Sequence, residues 1–398
     1  MHGIRLLPLG AGSAILLVIA AVIANGFIRP LPRATAVQTF SVSTGAAPAM
    51  PWPSKGQAAL GVQGLGVVAS TPTPRPQPIA SVVKVMTALI TLEAKPLAPG
   101  QQGPDITVVD ADVQAYDAAA ANGESVVPVV SGETLTEYQA LQGLLVAAGD
   151  NVAELLARWV AGSEAAFVQQ MNARAVRLGL HRTSFADASG ISPASVSVPE
   201  DLVRLGQAAM ANPVLAQIAG QPQAVIPLMG PVPNFNKVLG QDGIVGLKTG
   251  YLPGAGADFL FAGVEPVAGG PPLLVVGALQ GLATQDDTFA SATALLDAAR
   301  TAIHTTTVVA RGQHVGRART SWGGGATLIA SKAVTAPVWP GSKVTAHLSM
   351  PPRPAPIAAG ARVGTLTLNT GDTPVQVPVA TAAAVGGPDV PWRLLRGV

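Results

Sequence analysis

The chain opens on one uninterrupted apolar stretch. From Leu6 to Ile28 no charged residue occurs, and 14–24 is continuously apolar or small. Roughly 20 apolar residues, rising 1.5 Å each, match the ~30 Å hydrocarbon core of a bilayer. Arg5 precedes the stretch, and Arg29 and Arg33 follow it. Residues 1–28 are therefore expected to form an N-terminal membrane anchor or a secretory signal peptide. The length favours the anchor, because Val22-Ile23-Ala24 before Asn25 is a weak cleavage site. Arginines on both sides blur the orientation rule. Either reading exports the rest of the chain. Residues 29–57 carry five prolines and no hydrophobic period, which predicts a semi-extended linker.

Beyond the linker the period changes from segment to segment. Apolar runs at 58–62 and 65–70, separated by Gln63-Gly64, predict a strand pair. The proline-dense 71–78 predicts a loop. Over 81–94, Val82, Val85, Met86, Leu89 and Ile90 fall on one face, which predicts a helix. Further helices are expected at 135–147, 151–159, 164–178 and 200–211. Strand-like runs at 257–264 and 273–279 then lead into a helix at 286–303. Strands at both ends of a helical block predict an α+β (α/β) unit over 58–304, with the early and late strands in one sheet. From 305 the texture becomes short alternating runs at 306–309, 326–330, 343–348, 363–368 and 375–379. Turn residues at near-regular spacing separate them, predicting a small C-terminal all-β domain over 305–398.

Composition narrows the chemistry. Charged residues are only 12% of the 398, against about 25% in ordinary globular proteins. A net charge of +2 is too small for a protein that holds nucleic acid electrostatically. With no cysteine, disulfides, thiolate zinc sites, iron–sulfur clusters and cysteine nucleophiles are excluded. The five histidines show no metal-ligand spacing, so no metal or other cofactor is expected.

Two short motifs carry reactive groups. Ser81-Val-Val-Lys84 places a hydroxyl and an amine on one helical face. A serine is a poor nucleophile until a base takes its proton, and a desolvated lysine serves when neutral. The competing reading of Ser81 is a helix N-cap, although Lys84 stands where a capping box would want Glu or Gln. Lys248-Thr249-Gly250 ends the apolar run 243–247. It gathers a charge, a hydroxyl donor and a residue that permits close backbone approach, which suits an anion. Taken alone, it reads equally as a charged strand end with a turn glycine.

In this order and separation, the two motifs resemble those of serine-type D-alanyl-D-alanine carboxypeptidases, the low-molecular-weight penicillin-binding proteins of peptidase family S11. The likeness extends to 78–88 around the nucleophile, to Gly132-Glu-Thr-Leu-Thr136, to Asn234-Phe-Asn-Lys-Val-Leu239 and to 243–251. It implies a β-lactamase/transpeptidase-like sheet flanked by helices, with a helical subdomain. It also implies roles: Ser81 as nucleophile on the D-Ala-D-Ala carbonyl, Lys84 as general base, and Lys248 and Thr249 on the substrate carboxylate. Gly250 allows the strand close, and the backbone N–H groups of Ser81 and Tyr251 bind the oxyanion. The expected partners are peptidoglycan stem peptides, β-lactam antibiotics as acylating inhibitors, and a membrane through the N-terminal segment.

The resemblance fails at one motif. The family's Ser-x-Asn falls on 144–153, where Ala148 takes the serine position and Asp150 the asparagine position. Using Asn151 instead would break the flanking match. A missing hydroxyl relay is worth about 10²–10⁴-fold, and an ionised Asp150 near Lys84 would hold the lysine charged. Asp150 or Asn151 also reads as an N-cap for the next helix, with Glu154 as box partner. An active carboxypeptidase is thus expected. The alternative is a degenerate relative that binds penicillin or peptidoglycan with little turnover. A β-lactamase is disfavoured because no E-x-x-x-N element lies between the second and third motifs. His181-Arg182 is expected to be a polar helix exit, and Asp258 a cap, turn residue or salt-bridge partner. The interfacial 391–396 is too short for a C-terminal anchor.

Overall fold

The computed structural model describes residues 10–371 and 373–396. Arg5 and residues 6–9 of the expected apolar segment lie outside them. The chain divides into two compact units, one of Gly45–Thr305 with Pro337–Ser342, the other of Met1–Thr44, Thr306–Ala336 and Lys343–Val398.

The first unit is built on a five-stranded antiparallel sheet. Its order is Ile244–Leu252, Gly256–Glu265, Leu273–Leu282, Gln57–Val62, Gly66–Ser70. The early hairpin therefore adds to the late strands, as its sequence position requires. Side chains of the Gln57–Val62 strand alternate between two cores. Ala58, Leu60 and Val62 pack with Phe289, Leu295 and Leu296 of the Gln285–Ala302 helix, while Ala59 faces the helical block. A strand covered on both faces needs no polar positions, which is why 58–62 is wholly apolar. Pro337–Ser342 belongs to this unit, and Trp339 is buried in the Phe289 core. The sequence places those residues in the C-terminal domain; one large apolar side chain draws the segment back.

The helix Val83–Ala94 is buried along Val83–Leu92, the pattern of a core helix rather than a surface one. It stops at Lys95, whose extended φ of −130° is the conformation that Pro96 imposes on its predecessor. Glu137–Leu145 starts on a capping box of Thr136 and Gln139. The helix Asp110–Ala121 has no counterpart among the expected elements. Only Asp112 and Ala119 of it are buried, so it lacks an apolar stripe to read.

The second unit holds a six-stranded antiparallel sheet. Its order is Thr35–Gln38, His314–Arg319, Gly325–Ala330, Val375–Thr381, Arg362–Asn369, Thr345–Ser349. Thr35–Gln38 lies inside the expected linker 29–57. The five prolines sit at 30, 32, 48, 51 and 53 and leave 33–47 free of them; that interval, rich in Thr, Val and Ser, is competent to pair. A helix, Gly10–Ile28, precedes this strand. Among the described residues no helix is long and apolar enough to cross a membrane.

Candidate active site

Ser81 lies in a 3₁₀ turn, Ala80–Val82, at the entry to the Val83–Ala94 helix. One turn later Lys84 is fully buried, and its Nζ donates to three oxygens. These are Ser81 Oγ at 2.9 Å, Asp150 Oδ1 at 2.5 Å and the Ser189 carbonyl at 2.7 Å. Burial lowers the Lys84 pKa from its ordinary value, and the nearby carboxylates, Asp150 foremost, act in the opposite sense. Burial prevails, so the neutral amine that a general base must be is accessible.

The Ile244–Leu252 strand runs against the Ser81 turn. A β-carbon at Gly250 would stand 3.1 Å from Ala80 Cβ and 3.3 Å from Ser81 N, so only glycine brings the strand this close without displacement. Two residues earlier, Lys248 is buried, with Nζ donating to the Thr249 carbonyl at 3.1 Å and standing 6.0 Å from the Phe235 ring centre. Burial, then the positive charge of Lys84, push Lys248 down to about 7. An anion arriving here would meet a cation that has no carboxylate of its own among the described residues. Thr249 is buried, and Tyr251 is exposed at the end of the strand. Ser81, Lys84, Asp150 and the 248–250 strand are thus brought together.

The second motif resolves into two jobs. Asp150 is the first residue of the Asp150–Ala161 helix, whose N-cap is Gly149 with no side-chain cap bond, so neither Asp150 nor Asn151 caps it. Asp150 bonds Lys84, and its Oδ2 accepts the Ser125 N–H at 3.2 Å. Asn151 faces the other way and spends its amide on Val127, accepting from the N–H and donating to the carbonyl. Ala148 occupies the left-handed turn before them, φ 57°.

Sequence reading missed the Ser189 carbonyl. The loop that presents it is tied by Asp187, whose carboxylate accepts from Ser189 Oγ, Gly190 N, Ser192 N and Ser195 Oγ. Gly190 has φ 92°, and a β-carbon there would overlap the Ala80 carbonyl. The Asp187-x-Ser-Gly190 stretch, with its turn chemistry, was the available signal. His181 is exposed, and Arg182 bonds Asp201 and the Pro74 carbonyl, a structural tie away from Ser81.

Asp258 pairs in register with Gly250 on the neighbouring strand. It is neither a cap nor an ion-pair member: buried, it accepts the Gly281 N–H at 2.9 Å. Burial pushes its carboxyl up to about 8. The folded state then keeps a proton that the unfolded state, near 3.8, has released. This contribution therefore lowers stability as pH rises from about 4 to about 8. Asp258→Asn keeps the acceptor and removes the titration. The variant is expected to match wild type in unfolding free energy at pH 4 and exceed it increasingly toward pH 8, by on the order of a few kcal/mol, as read by denaturant unfolding at each pH. A difference independent of pH would contradict this.

Comparison with known proteins bears on the family and the fold. The profile of the D-alanyl-D-alanine carboxypeptidases, peptidase family S11, matches residues 63–267, more than half of the chain. A D-alanyl-D-alanine carboxypeptidase of Mycobacterium tuberculosis is 35% identical over 212 residues, covering 52% of this chain and 67% of that protein. For seven further curated relatives the chain spans between 27 and 66% of their length. Among solved structures, an evolved penicillin-binding protein homolog from M. tuberculosis superposes with a TM-score of 0.55 at 28% identity, covering 65% of this chain and 95% of that one. Penicillin-binding protein 5 from Haemophilus influenzae reaches 0.62 over 85% of this chain and 100% of that one, at 18% identity a likeness of fold alone. The chain belongs to the D-alanyl-D-alanine carboxypeptidases of peptidase family S11.

Proposed function

We propose that this protein removes the terminal D-alanine from peptidoglycan stem pentapeptides outside the cytoplasm, through an acyl-enzyme on Ser81. The observation that carries the reading is the 2.9 Å bond between Lys84 Nζ and Ser81 Oγ, with the Lys248–Gly250 strand alongside. Neutral Lys84 takes the Ser81 proton as Oγ attacks the carbonyl between the two D-alanines. The oxyanion is held by the backbone N–H groups of Ser81 and Tyr251. The C–N bond then breaks, and the proton on Lys84 passes to the departing amine. Water attacks the resulting ester and returns Ser81 to its hydroxyl form. Lys248 and Thr249 hold the terminal carboxylate, and β-lactams acylate the same serine. No cofactor enters.

The Gly10–Ile28 helix, with Ile15, Leu16, Leu17 and Val18 exposed, supports reading the N-terminus as a membrane anchor. The test is D-alanine release from a peptide ending in D-Ala-D-Ala. The full chain is expected to release it and Ser81→Ala is not; equal release by both would end the proposal.

Lys248 has its own expected signature. A carboxylate prefers the charged lysine, which is lost as pH rises through about 7. KM for free-acid peptides should therefore climb above that pH, and KM for C-terminally amidated ones should not. Lys248→Ala should raise KM for the free acid about tenfold or more and change the amide little. Equal losses on both would remove Lys248 from the carboxylate site.

A further inference from the structure

The whole-chain charge of +2 hides a division. Of the 22 acidic residues, 20 lie between Gly45 and Thr305. Between Thr306 and Val398 there are nine Lys or Arg against Asp372 and Asp389, and residues 1–44 hold three Arg and no acid. The second unit is therefore strongly basic, while the unit that carries Ser81 is acidic.

Within the second unit the arginines converge on the end of the apolar helix. Arg396 donates to the carbonyls of Gly26 at 3.2 Å, of Pro30 at 3.3 Å and of Arg29. Arg393 stands 5.3 Å over the Phe27 ring. Seven residues beyond Ile28, Thr35 pairs with Arg319 and Val37 with Arg317. On the other side the Ala34 N–H donates to the Arg353 carbonyl at 2.8 Å. Arg353 and Arg362 then line a cavity of about 280 Å³ together with Ser349 and Thr365.

Strand alternation puts Arg317, Arg319 and Arg362 on the exposed face of the sheet. The buried face is made of Ala318, Leu328, Leu366 and Val379. Among the described residues, none of these arginines has a carboxylate partner. Trp322, three residues after Arg319, and Trp392 are half-buried and meet edge to face at 5.5 Å, with Arg396 over Trp392.

We infer that these arginines form a collar around the root of the apolar helix that docks on an anionic phospholipid surface. Guanidinium groups bind phosphate oxygens in pairs, and each basic residue near such a surface strengthens partitioning about fivefold. Paired tryptophans suit the headgroup layer. A soluble wall polyanion would match the charge equally. It would not account for the exposed apolar helix, which at ~3.5 Å per residue is tethered within about 25 Å of the sheet edge. The inference rests on the reading of the N-terminus as an anchor.

The test uses the full chain and vesicles of phosphatidylcholine alone or with one quarter phosphatidylglycerol. Flotation measures capture, and resistance to alkaline carbonate measures insertion. Capture at low salt should rise at least tenfold with phosphatidylglycerol and fall back in 0.5 M NaCl. The variant R317Q/R319Q/R353Q/R362Q should lose that gain while keeping carbonate resistance and the wild-type thermal unfolding profile, the latter reporting the fold. Equal capture on both vesicle types, a variant that keeps the gain, or binding of soluble polyphosphate without any phosphatidylglycerol effect would overturn the collar. Lipid-selective capture without carbonate resistance would support the collar and sink the anchor reading instead.

Discussion

Lys84→Met is expected to reduce penicillin acylation and D-alanine release by about 10³-fold or more, because it removes the group that accepts the Ser81 proton. Methionine fits the buried path of the lysine stem, so little volume is lost. The variant also strands Asp150, whose 2.5 Å bond to Lys84 is buried. An uncompensated buried charge costs roughly 3–5 kcal/mol, so the single variant should also melt earlier. The double variant Lys84→Met/Asp150→Asn separates these effects: stability should return and activity should not. A double variant that acylates within tenfold of wild type would show that Lys84 is not the base.

Asp150→Asn alone is expected to move the acidic limb of the acylation profile to lower pH by a unit or more. Asp150 is the strongest influence raising the Lys84 pKa, against the burial that lowers it; without it, the lysine becomes neutral at lower pH. On the acidic limb the rate follows the neutral fraction, so each unit is a tenfold gain at fixed pH. Adding Ala148→Ser restores the hydroxyl that the family carries there, in a backbone conformation, φ 57°, that serine tolerates no worse than alanine. Turnover of the double variant should rise by up to about 10²–10⁴-fold, the worth of acid–base help to a leaving amine. A limb that does not move would place control of the lysine elsewhere, and unchanged turnover would mean the proton already has a route.

Ser81, Lys84 and Lys248 were legible because local rules fix them: helical spacing joins the first two, and an apolar strand ending in Lys-Thr-Gly marks the third. The sheet was legible because strands flanked the helical block and were apolar on both faces. Asp150 was readable only by register against the family motif. Its division of labour with Asn151 depends on which way two adjacent side chains turn, and helix geometry at a buried entry decides that. The Ser189 carbonyl has no sequence signature, since every residue has one; only the Asp187 turn hints at it. The strand Thr35–Gln38 was hidden by prolines on either side of it, and Asp110–Ala121 by the lack of an apolar face.

The most direct measurement is the mass of the protein after exposure to penicillin, followed by mapping of the modified peptide. One penicilloyl adduct per chain, located on Ser81 and absent from Ser81→Ala, is the expected result. No adduct on the folded wild-type chain, or an adduct on any other residue, would contradict the assignment of Ser81 as the nucleophile.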